Sequence, residues 1–386
     1  MTTAQQPSIQ HLLQTLCPDG VPYATLGEVC KTLSAPKKLD KRDYLQHGAY
    51  PIIDQGQKFI IAYTDDATAI VPKGEYIIFG DHTREIKFVD FPFAQGADGV
   101  KILLAKEGIT PKYLYYAMSN LQIPSRGYNR HWSIAKDLPI PLPPLPIQER
   151  IVEILDKFSR LSAELEAELE LRKKQYDFYR NRLLSFDSIS DTVQWMPLDE
   201  VFELRNGYTP SKSNPAFWEG GTIPWYRMED IRKNGRILSD SMQHITPAAI
   251  KGKGLFDAGS FILATTATIG EHALLIADSL ANQQFTNLKI RKSLKDSLLT
   301  KFVFYYMFVV DDFCKKHTNK SGFESVDMEA LKNMPFPLPP LPVQERIVGI
   351  LDKFETLVSD LSQGLPAEIN LVQKQYEYYR DLLLRF

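Results

Sequence analysis

The stretch PLPPLPIQERIVEILDKF, residues 141–158, decides the architecture because the chain contains it twice. It returns at residues 337–354 as PLPPLPVQERIVGILDKF, with only two positions changed. Each copy opens a helical pattern that ends on a second shared block, KQYDFYRNRLLSF at 174–186 and KQYEYYRDLLLRF at 374–386. A unit of this length is too long for a solenoid repeat, so the pattern indicates two halves of one duplicated protein.

The spacing within each half predicts a long helix. From Ile147 to Leu183 apolar residues recur at steps of three and four, with Arg172 the one exception. This predicts a helix of about 37 residues, roughly 55 Å long, with a coiled-coil seam and a Pro-rich lead that cannot be helical. The second copy contains four extra residues, and Gly364 and Pro366 beside them predict a bend. We expect the two helices to pair with each other, antiparallel, through these residues: Ile151, Phe158, Leu165, Tyr176, Ile347, Phe354, Leu361 and Tyr376.

The regions between the repeats have the pattern of α+β domains. SIQHLLQTL (8–16) and PKYLYYAMSN (111–120) predict helices, and YPIID (50–54), FIIAY (59–63), EYIIFG (75–80) and VKILLA (100–105) predict strands. VQWMPLDEV (193–201) matches VPYATLGEV (21–29), and FVFYYM (302–307) parallels YLYYAM (113–118), but the regions otherwise share little. The predicted order is a first α+β domain at 1–140, a first long helix with its lead at 141–190, a second α+β domain at 191–336 and a second long helix with its lead at 337–386.

Composition excludes several classes of protein. The chain has 386 residues, of which 44% are hydrophobic and 24% charged, which argues against disorder. A net charge of −2 excludes a uniformly basic surface but allows a local basic face. No apolar run approaches the roughly 20 residues of a membrane helix, and the N-terminus lacks a signal-peptide pattern, so we expect a cytoplasmic protein without membrane contact. Three scattered cysteines predict neither a disulfide framework nor a zinc cluster.

The repeat also suggests a function. An antiparallel helix pair gives the two halves pseudo-two-fold symmetry, with one variable region at each end of a rigid spacer. Double-stranded DNA has the same pseudo-symmetry, and a spacer of fixed length reads a split site in fixed register. Because the two regions differ in sequence, we expect the two half-sites to differ as well.

The chain resembles the specificity subunit of type I restriction-modification enzymes over essentially its full length. The residues that carry the resemblance are LGEV (26–29), the two pairs of repeated blocks, and GYTPSKSNPAFWEGGTIPW (207–225). The resemblance implies two target recognition domains, each reading part of a bipartite site, and a chain that is not itself catalytic. It also implies two methyltransferase subunits docked on the helices and two translocase-nuclease subunits in the full complex. S-adenosylmethionine, ATP and magnesium would then bind to those partners, and no cofactor or metal to this chain.

The tandem SAEL-EAEL (162–169) suggests that the spacer acts as a ruler. One added four-residue unit would shift a domain by about 6 Å and rotate it by about 40°. One base pair turns about 34–36°. A duplicated unit should therefore lengthen the recognised spacer by about one base pair.

Base and phosphate contacts need long polar and cationic side chains. In the first domain SRGYNRHW (125–132) combines cations with aromatics, and in the second CKKHTNKSGF (314–323) is the most basic stretch. The predicted DNA contacts of the first domain are Lys37, Lys38, Gln55, Gln57, Lys58, His82, Arg84, Arg126, Asn129 and Arg130. Those of the second domain are Thr209, Ser211, Lys212, Arg227, Asn282, Gln283, Gln284, Lys315, Lys316, Lys320 and Ser321. For each residue the alternative is an ordinary solvated surface group.

Other functions find weaker support in the sequence. Asn214-Pro-Ala-Phe217 is similar to an amino-methyltransferase signature, but the Gly-rich cofactor loop that this enzyme needs is missing, and FDAGSF (256–261) is a poor substitute. Asp81 with Glu85-Ile-Lys87 imitates a metal-nuclease pattern at unusually short spacing. Cys314 and His317 form a CxxH pair without further ligands. A coiled-coil scaffold would explain the helices but not the two diverged regions. The QER segments could dock a partner subunit or simply face solvent.

Overall fold

The computed structural model describes residues 7–96, 98–125, 127, 129–186, 193–252, 254–319, 324–360 and 362–386. The chain forms two compact units, one of Met1–Ala167 with Ala367–Phe386 and one of Glu168–Pro366. Each unit therefore combines one variable region with segments of the repeated helices. The predicted α+β architecture is confirmed. None of the described helices is both long enough and apolar enough to cross a membrane.

The elements of the first half follow the predicted order closely. They are α1 Ile9–Leu16, β1 Tyr23–Thr25, α2 Leu26–Val29, β2 Cys30–Leu33, β3 Tyr50–Ile53, β4 Ala62–Thr64, β5 Ile70–Val71, β6 Tyr76–Gly80, β7 Ile86–Val89, β8 Phe93–Gln95, β9 Val100–Ala105, α3 Pro111–Ser119, α4 Trp132–Ala135, β10 Pro139–Pro141 and α5 Leu145–Ser185. The strand predicted at 59–63 begins only at Ala62, because residues 55–59 bend. Ser8 accepts the His11 amide at 3.2 Å and caps α1.

The second half repeats this order with additions. Its elements are β11 Gln194–Pro197, α6 Leu198–Val201, β12 Phe202–Asn206, β13 Ile223–Tyr226, α7 Met228–Asn234, β14 Ile237–Leu238, β15 His244–Ile245, β16 Phe261–Ala264, β17 His272–Leu275, β18 Leu280–Ala281, β19 Phe285–Ile290, α8 Thr300–Lys316, β20 Thr318–Asn319, β21 Ser325–Val326, α9 Met328–Lys332, β22 Pro335–Leu338, α10 Leu341–Ser359 and α11 Leu365–Leu383.

The two variable regions share one strand topology although their sequences share little. The larger sheet has the order β2-β9-β6-β7 in the first unit and β12-β19-β16-β17-β14 in the second. The smaller sheets also correspond, since β3 pairs antiparallel with β4 and parallel with β8, as β13 does with β15 and β18. In each unit a two-stranded ribbon, β1-β10 or β11-β22, leads from the variable region to the repeated helix. The duplication therefore includes the whole recognition region, which the sequence alone does not reveal.

The first spacer helix is longer than predicted and the second is broken. α5 begins at Leu145, so the last two residues of PLPPLP form its first turn, where Pro is tolerated because no amide hydrogen is needed. The bend predicted beside Pro366 is an interruption between α10 and α11. At this interruption Gly364 packs directly against the last turns of α10. A larger residue would not fit, because a Cβ at Gly364 would lie 2.3 Å from the carbonyl oxygen of Thr356.

Within each unit the repeated helices pack antiparallel. In the first unit the ring of Phe158 stacks on Tyr379 with centroids 5.3 Å apart, while Ile151, earlier in α5, shares a cluster with Leu384, later in α11. In the second unit the rings of Tyr176 and Tyr179 lie 6.3 and 5.7 Å from Phe354.

The other predicted seam residues take several positions. Ile347 is buried in the core of the second unit, Tyr376 lies 6.5 Å from Tyr116 of α3, and Leu165 is half-buried. Leu361 lies outside the described residues.

Polar residues of the repeated block attach each variable region to its helix. Gln148 accepts the Thr110 amide at 2.9 Å and donates to the carbonyls of Gly108 and Pro143. Its counterpart Gln344 makes the same three kinds of hydrogen bond, with the Leu299 amide and the Ser297 and Pro339 carbonyls. Both glutamines are almost fully buried, so the QER segment does not present its first residue to solvent or to a partner.

A second pair of contacts lies eight residues further along each helix. Asp156 accepts hydrogen bonds from Tyr116 at 2.7 Å and Lys112 at 2.5 Å. Asp352 accepts from Tyr305 at 2.5 Å and Lys301 at 3.0 Å. Burial raises the pKa of both tyrosines, so both hydroxyls keep the proton that they donate.

Candidate nucleic-acid interface

The candidate residues of the first unit converge where several strands end. Lys38 follows β2, Gln55 follows β3, His82 follows β6, and Asp98 follows β8. The Nζ of Lys38 lies 2.5 Å from a carboxylate oxygen of Asp98. That hydrogen bond, followed by the charges of Lys38, Arg130 and His82, lowers the pKa of Asp98. We call Lys38, Gln55, His82, Asp98 and Arg130 the Asp98 cluster.

A glycine allows this cluster to form. Gly99 has a positive φ of +84°, and a Cβ there would lie 2.6 Å from the Oε1 of Gln55 and 2.6 Å from the Cδ2 of His82. The same Oε1 accepts the His82 amide at 3.1 Å, which joins the loops after β3 and β6. The side chains of the cluster are therefore held by loop-to-loop contacts before any ligand binds.

Asp81 and Lys87, which belong to the nuclease-like pattern, are buried and have structural roles instead. The carboxylate of Asp81 accepts the Trp132 amide at 2.7 Å, and its carbonyl accepts the His131 amide. Lys87 donates to the carbonyls of Asp54 and Lys58 at 2.9 and 2.7 Å. Asp81 and Lys87 thus hold the loops that carry the candidate contacts. Within the described ranges no group of three His, Cys, Asp or Glu residues is placed to hold a metal ion.

The remaining candidates of the first unit lie in different settings. Lys37 pairs with Asp66 at 2.7 Å, and this hydrogen bond, together with two from Thr68, lowers the pKa of Asp66 to about 2. Arg84 has a positive φ of 67° and donates to the Ile123 carbonyl at 3.0 Å, so its guanidinium is committed to the backbone. Gln57, Lys58 and Asn129 are also exposed. Arg126 lies outside the described residues.

The second unit gathers its candidates at the corresponding strand ends. The hydroxyl of Thr209 donates to the Oε1 of Gln283 at 2.5 Å. The side chain of Asn282 accepts the Gln284 amide at 3.0 Å and donates to the Oε1 of Gln284 at 3.1 Å. Arg227 follows β13, beside Tyr226, whose carbonyl accepts the Asn282 amide. We call Thr209, Arg227, Asn282, Gln283 and Gln284 the Gln283 cluster.

The other described candidates of the second unit are exposed. Ser211 and Lys212 lie in the loop after β12, and the hydroxyl of Ser211 is 2.9 Å from that of Ser213. Lys315 and Lys316 are in the last turn of α8, where cations are favoured by the helix dipole, and Lys315 lies 3.8 Å from Asp312. Lys320 and Ser321 lie outside the described residues.

Backbone hydrogen bonds show that the two clusters occupy equivalent positions. The Asp81 amide donates to Gly99 at 2.6 Å, and the Thr265 amide donates to Gln284 at 2.9 Å. Asp81 and Thr265 directly follow the equivalent strands β6 and β16. The residue that precedes the acceptor is Asp98 in one unit and Gln283 in the other.

A second bond completes the correspondence. The carbonyl of Asp81 accepts the His131 amide at 2.7 Å, and the carbonyl of Thr265 accepts the Val326 amide at 2.9 Å. This bond brings the segment with Asn129 and Arg130 beside the strand ends in the first unit, and β21 in the second. One backbone scaffold thus presents two different sets of side chains.

The alternative motifs have local structural roles. Asn214 accepts the Ala216 amide at 3.2 Å and caps a single turn of 3₁₀ helix at residues 215–217. Cys314 is fully buried, and burial raises the pKa of its thiol to about 12, which makes it a poor metal ligand and nucleophile. His317 stacks on Phe313 at 3.9 Å.

Comparison with known proteins identifies a family. Residues 18–171 and 190–371 match the family model described as the type I restriction modification DNA specificity domain. The EcoR124I/EcoR124II specificity subunit of Escherichia coli is 36% identical over 390 residues, covering 95% of this chain and 94% of that protein. The EcoprrI specificity subunit of E. coli is 50% identical over 201 residues, half of each chain. In fold, the chain is similar to the crystal structure of a type I S subunit from M. genitalium, with a TM-score of 0.54, 14% identity and coverage of 95% and 97%.

Proposed function

The chain belongs to the family of type I restriction-modification specificity subunits, and we propose that it is the DNA-recognition and assembly subunit of such a complex. Each recognition region reads one half of an asymmetric, bipartite site in double-stranded DNA, and the repeated helices set the distance between the halves. The helices also dock two methyltransferase subunits, and two translocase-nuclease subunits complete the assembly. S-adenosylmethionine, ATP and magnesium bind to those partner subunits in the cytoplasm, and this chain itself catalyses no reaction.

The observation that carries the proposal is the equivalence of the two polar clusters. Strands of one topology end at equivalent positions, yet Lys, Gln, His, Arg and Asp gather in the first unit, and Thr, Asn, Gln and Arg in the second. These are side chains that read base edges and bind phosphates. A constant scaffold with two different polar surfaces is what an asymmetric split site requires.

The test is to select DNA bound by the full-length chain from a double-stranded pool with a randomised segment of roughly 40 base pairs, about four helical turns. The selected sequences should contain two different short motifs separated by one spacer length. A single continuous motif, or enrichment without sequence preference, would contradict the proposal.

A domain exchange tests how recognition is divided. Replacement of residues 30–137 by the corresponding region of another family member leaves β10 and the α5 helix intact, and it should change one motif and leave the other. Incubation of the purified chain with S-adenosylmethionine and its selected DNA addresses the enzyme alternative. Methyl transfer without a partner subunit would show that the chain is itself a methyltransferase.

A further inference from the structure

In both recognition regions one side-chain pair joins the same two segments, with different chemistry in each region. In the first unit Lys38, from the segment after β2, hydrogen-bonds Asp98, from the segment after β8. In the second unit Thr209, from the segment after β12, hydrogen-bonds Gln283, from the segment after β18. Because β2 corresponds to β12 and β8 to β18, the two pairs join corresponding segments, and their second members, Asp98 and Gln283, occupy equivalent positions.

Backbone contacts of the supporting segments agree with this equivalence. The Leu39 amide donates to the carbonyl of Gln95, the last residue of β8, at 3.0 Å. The Tyr208 amide donates to the carbonyl of Ala281, the last residue of β18, at 2.9 Å. Lys38 precedes Leu39 whereas Thr209 follows Tyr208, so the two first members lie on opposite sides of this bond. The strand-end bonds at Gly99 and Gln284 place the second members, Asp98 and Gln283, at equivalent positions.

Both second members stand at the surface. The side chain of Asp98 is 84% exposed even though it pairs with Lys38, and Gln283 is exposed as well. An exposed Lys–Asp pair contributes little to stability, since long side chains lose entropy and water screens the charges. Because Asp98 and Gln283 are exposed, neither pair contributes much to the stability of its unit.

We propose that Asp98 and Gln283 are specificity-determining residues that each read one base pair, oriented by Lys38 and Thr209 respectively. This inference rests on the proposed function and adds which base the residues at these two positions recognise. A carboxylate accepts hydrogen bonds only, and in the major groove it matches the N4 amino group of cytosine. Asp98 therefore selects cytosine.

Gln283 offers a different pattern. One lone pair of its Oε1 accepts the Thr209 hydroxyl, which leaves an acceptor site on the oxygen and the donors of Nε2. An acceptor beside a donor matches the N6 and N7 atoms of adenine. Gln283 therefore selects adenine in the other half-site.

The experiment repeats the selection from randomised DNA with Asp98→Ala and Gln283→Ala in the full-length chain. Asp98→Ala should relax one cytosine in one motif by about 5- to 150-fold in relative affinity and leave the other motif unchanged. Gln283→Ala should relax one adenine in the other motif. Asp66→Ala is the matched control, because it breaks the neighbouring pair with Lys37, and it should change no base preference.

A transplanted reading residue gives the sharper readout. Asp98→Gln places the glutamine of the second unit at the equivalent position of the first, and the preferred base at that position should change from cytosine to adenine. Thermal melting checks that each variant is folded. Uniform weakening on all sequences, or relaxation at a base other than the one named, would overturn the assignment. If the unaltered chain selects no bipartite motif, the proposed function fails, whatever the variants do.

Discussion

Replacement of Gln344 by alanine should destabilise the second unit far more than an ordinary surface change on the same helix. Gln344 is fully buried, accepts the Leu299 amide at 2.8 Å, and donates to the carbonyls of Ser297 and Pro339 at 2.8 and 2.7 Å. Truncation leaves one amide hydrogen and two carbonyl oxygens without these partners. Each such group costs about 1–3 kcal/mol, so with partial relaxation we expect a total loss of about 3–5 kcal/mol.

The intrinsic helix propensity of alanine works against the expected loss of stability, so a loss would be specific to the buried hydrogen bonds. Alanine is the better helix former by a few tenths of a kcal/mol, so a residue that only filled a helix position would be stabilised by the change. For a unit of this size each kcal/mol corresponds to about 2–4 °C, and the unfolding temperature should fall by roughly 10 °C. Scanning calorimetry of the full-length chain measures the effect. Gln148→Ala should lower the stability of the first unit similarly, because its three hydrogen bonds are equivalent.

Glu345→Ala is the matched control. Glu345 is the next residue of the helix and is exposed, so its replacement should change the stability by no more than about 0.5 kcal/mol. Gln344→Glu keeps the shape but directs a carboxylate at the Ser297 and Pro339 carbonyls, and it should destabilise the unit more at pH 7 than in mild acid. Equal melting temperatures for Gln344→Ala and Glu345→Ala would refute the role given to this amide.

Three further expectations follow from the helices and the charged surfaces. Duplication of residues 166–169 should lengthen the selected spacer by about one base pair, since four helical residues add about 6 Å and 40°; selection of the original spacer would contradict the ruler. Lys316→Ala should weaken binding to all sequences alike and reduce the slope of log K against log salt by about one; a changed base preference would argue against a phosphate contact. The pKa of Asp66 is lowered to about 2, first of all by Lys37, from an unfolded value of about 3.9. The stability that this pairing contributes is present above about pH 4 and is lost towards pH 2. Asp66→Asn should therefore melt below the unaltered chain at pH 7 but not at pH 2, and a difference independent of pH would contradict this.

The sequence predicted the helical frame well because local rules determine it. The spacing of apolar residues acts within a few residues, and the observed helices follow it. The prediction that the whole Pro-rich lead is non-helical was wrong, because α5 begins at Leu145 within it. The break before Leu365 was harder to predict. Gly364 and Pro366 indicate a weak point, but whether a helix bends or stops there depends on packing against the Thr356 turn.

The candidate interface could be predicted only in part. Cationic and amide residues outside the repeats are visible in the sequence, whereas their acidic partners Asp66 and Asp98 depend on tertiary contacts. Asp81 and Lys87 were open to interpretation as a nuclease motif because the sequence does not show that both bind backbone groups. The common strand topology was also hidden, because different apolar residues fill equivalent buried strands.

The duplication itself separates structural polar residues from recognition residues. Gln148 and Gln344 recur at one position of the repeat and bind the same backbone groups, as a residue must if both units need the same frame. Asp98 and Gln283 occupy equivalent positions but differ, as they must if the two half-sites differ. The residue type cannot distinguish these roles, since glutamine occurs in both. In a duplicated reader of an asymmetric site, a polar residue that recurs therefore holds the fold, and one that changes on an unchanged backbone is a candidate to read the DNA.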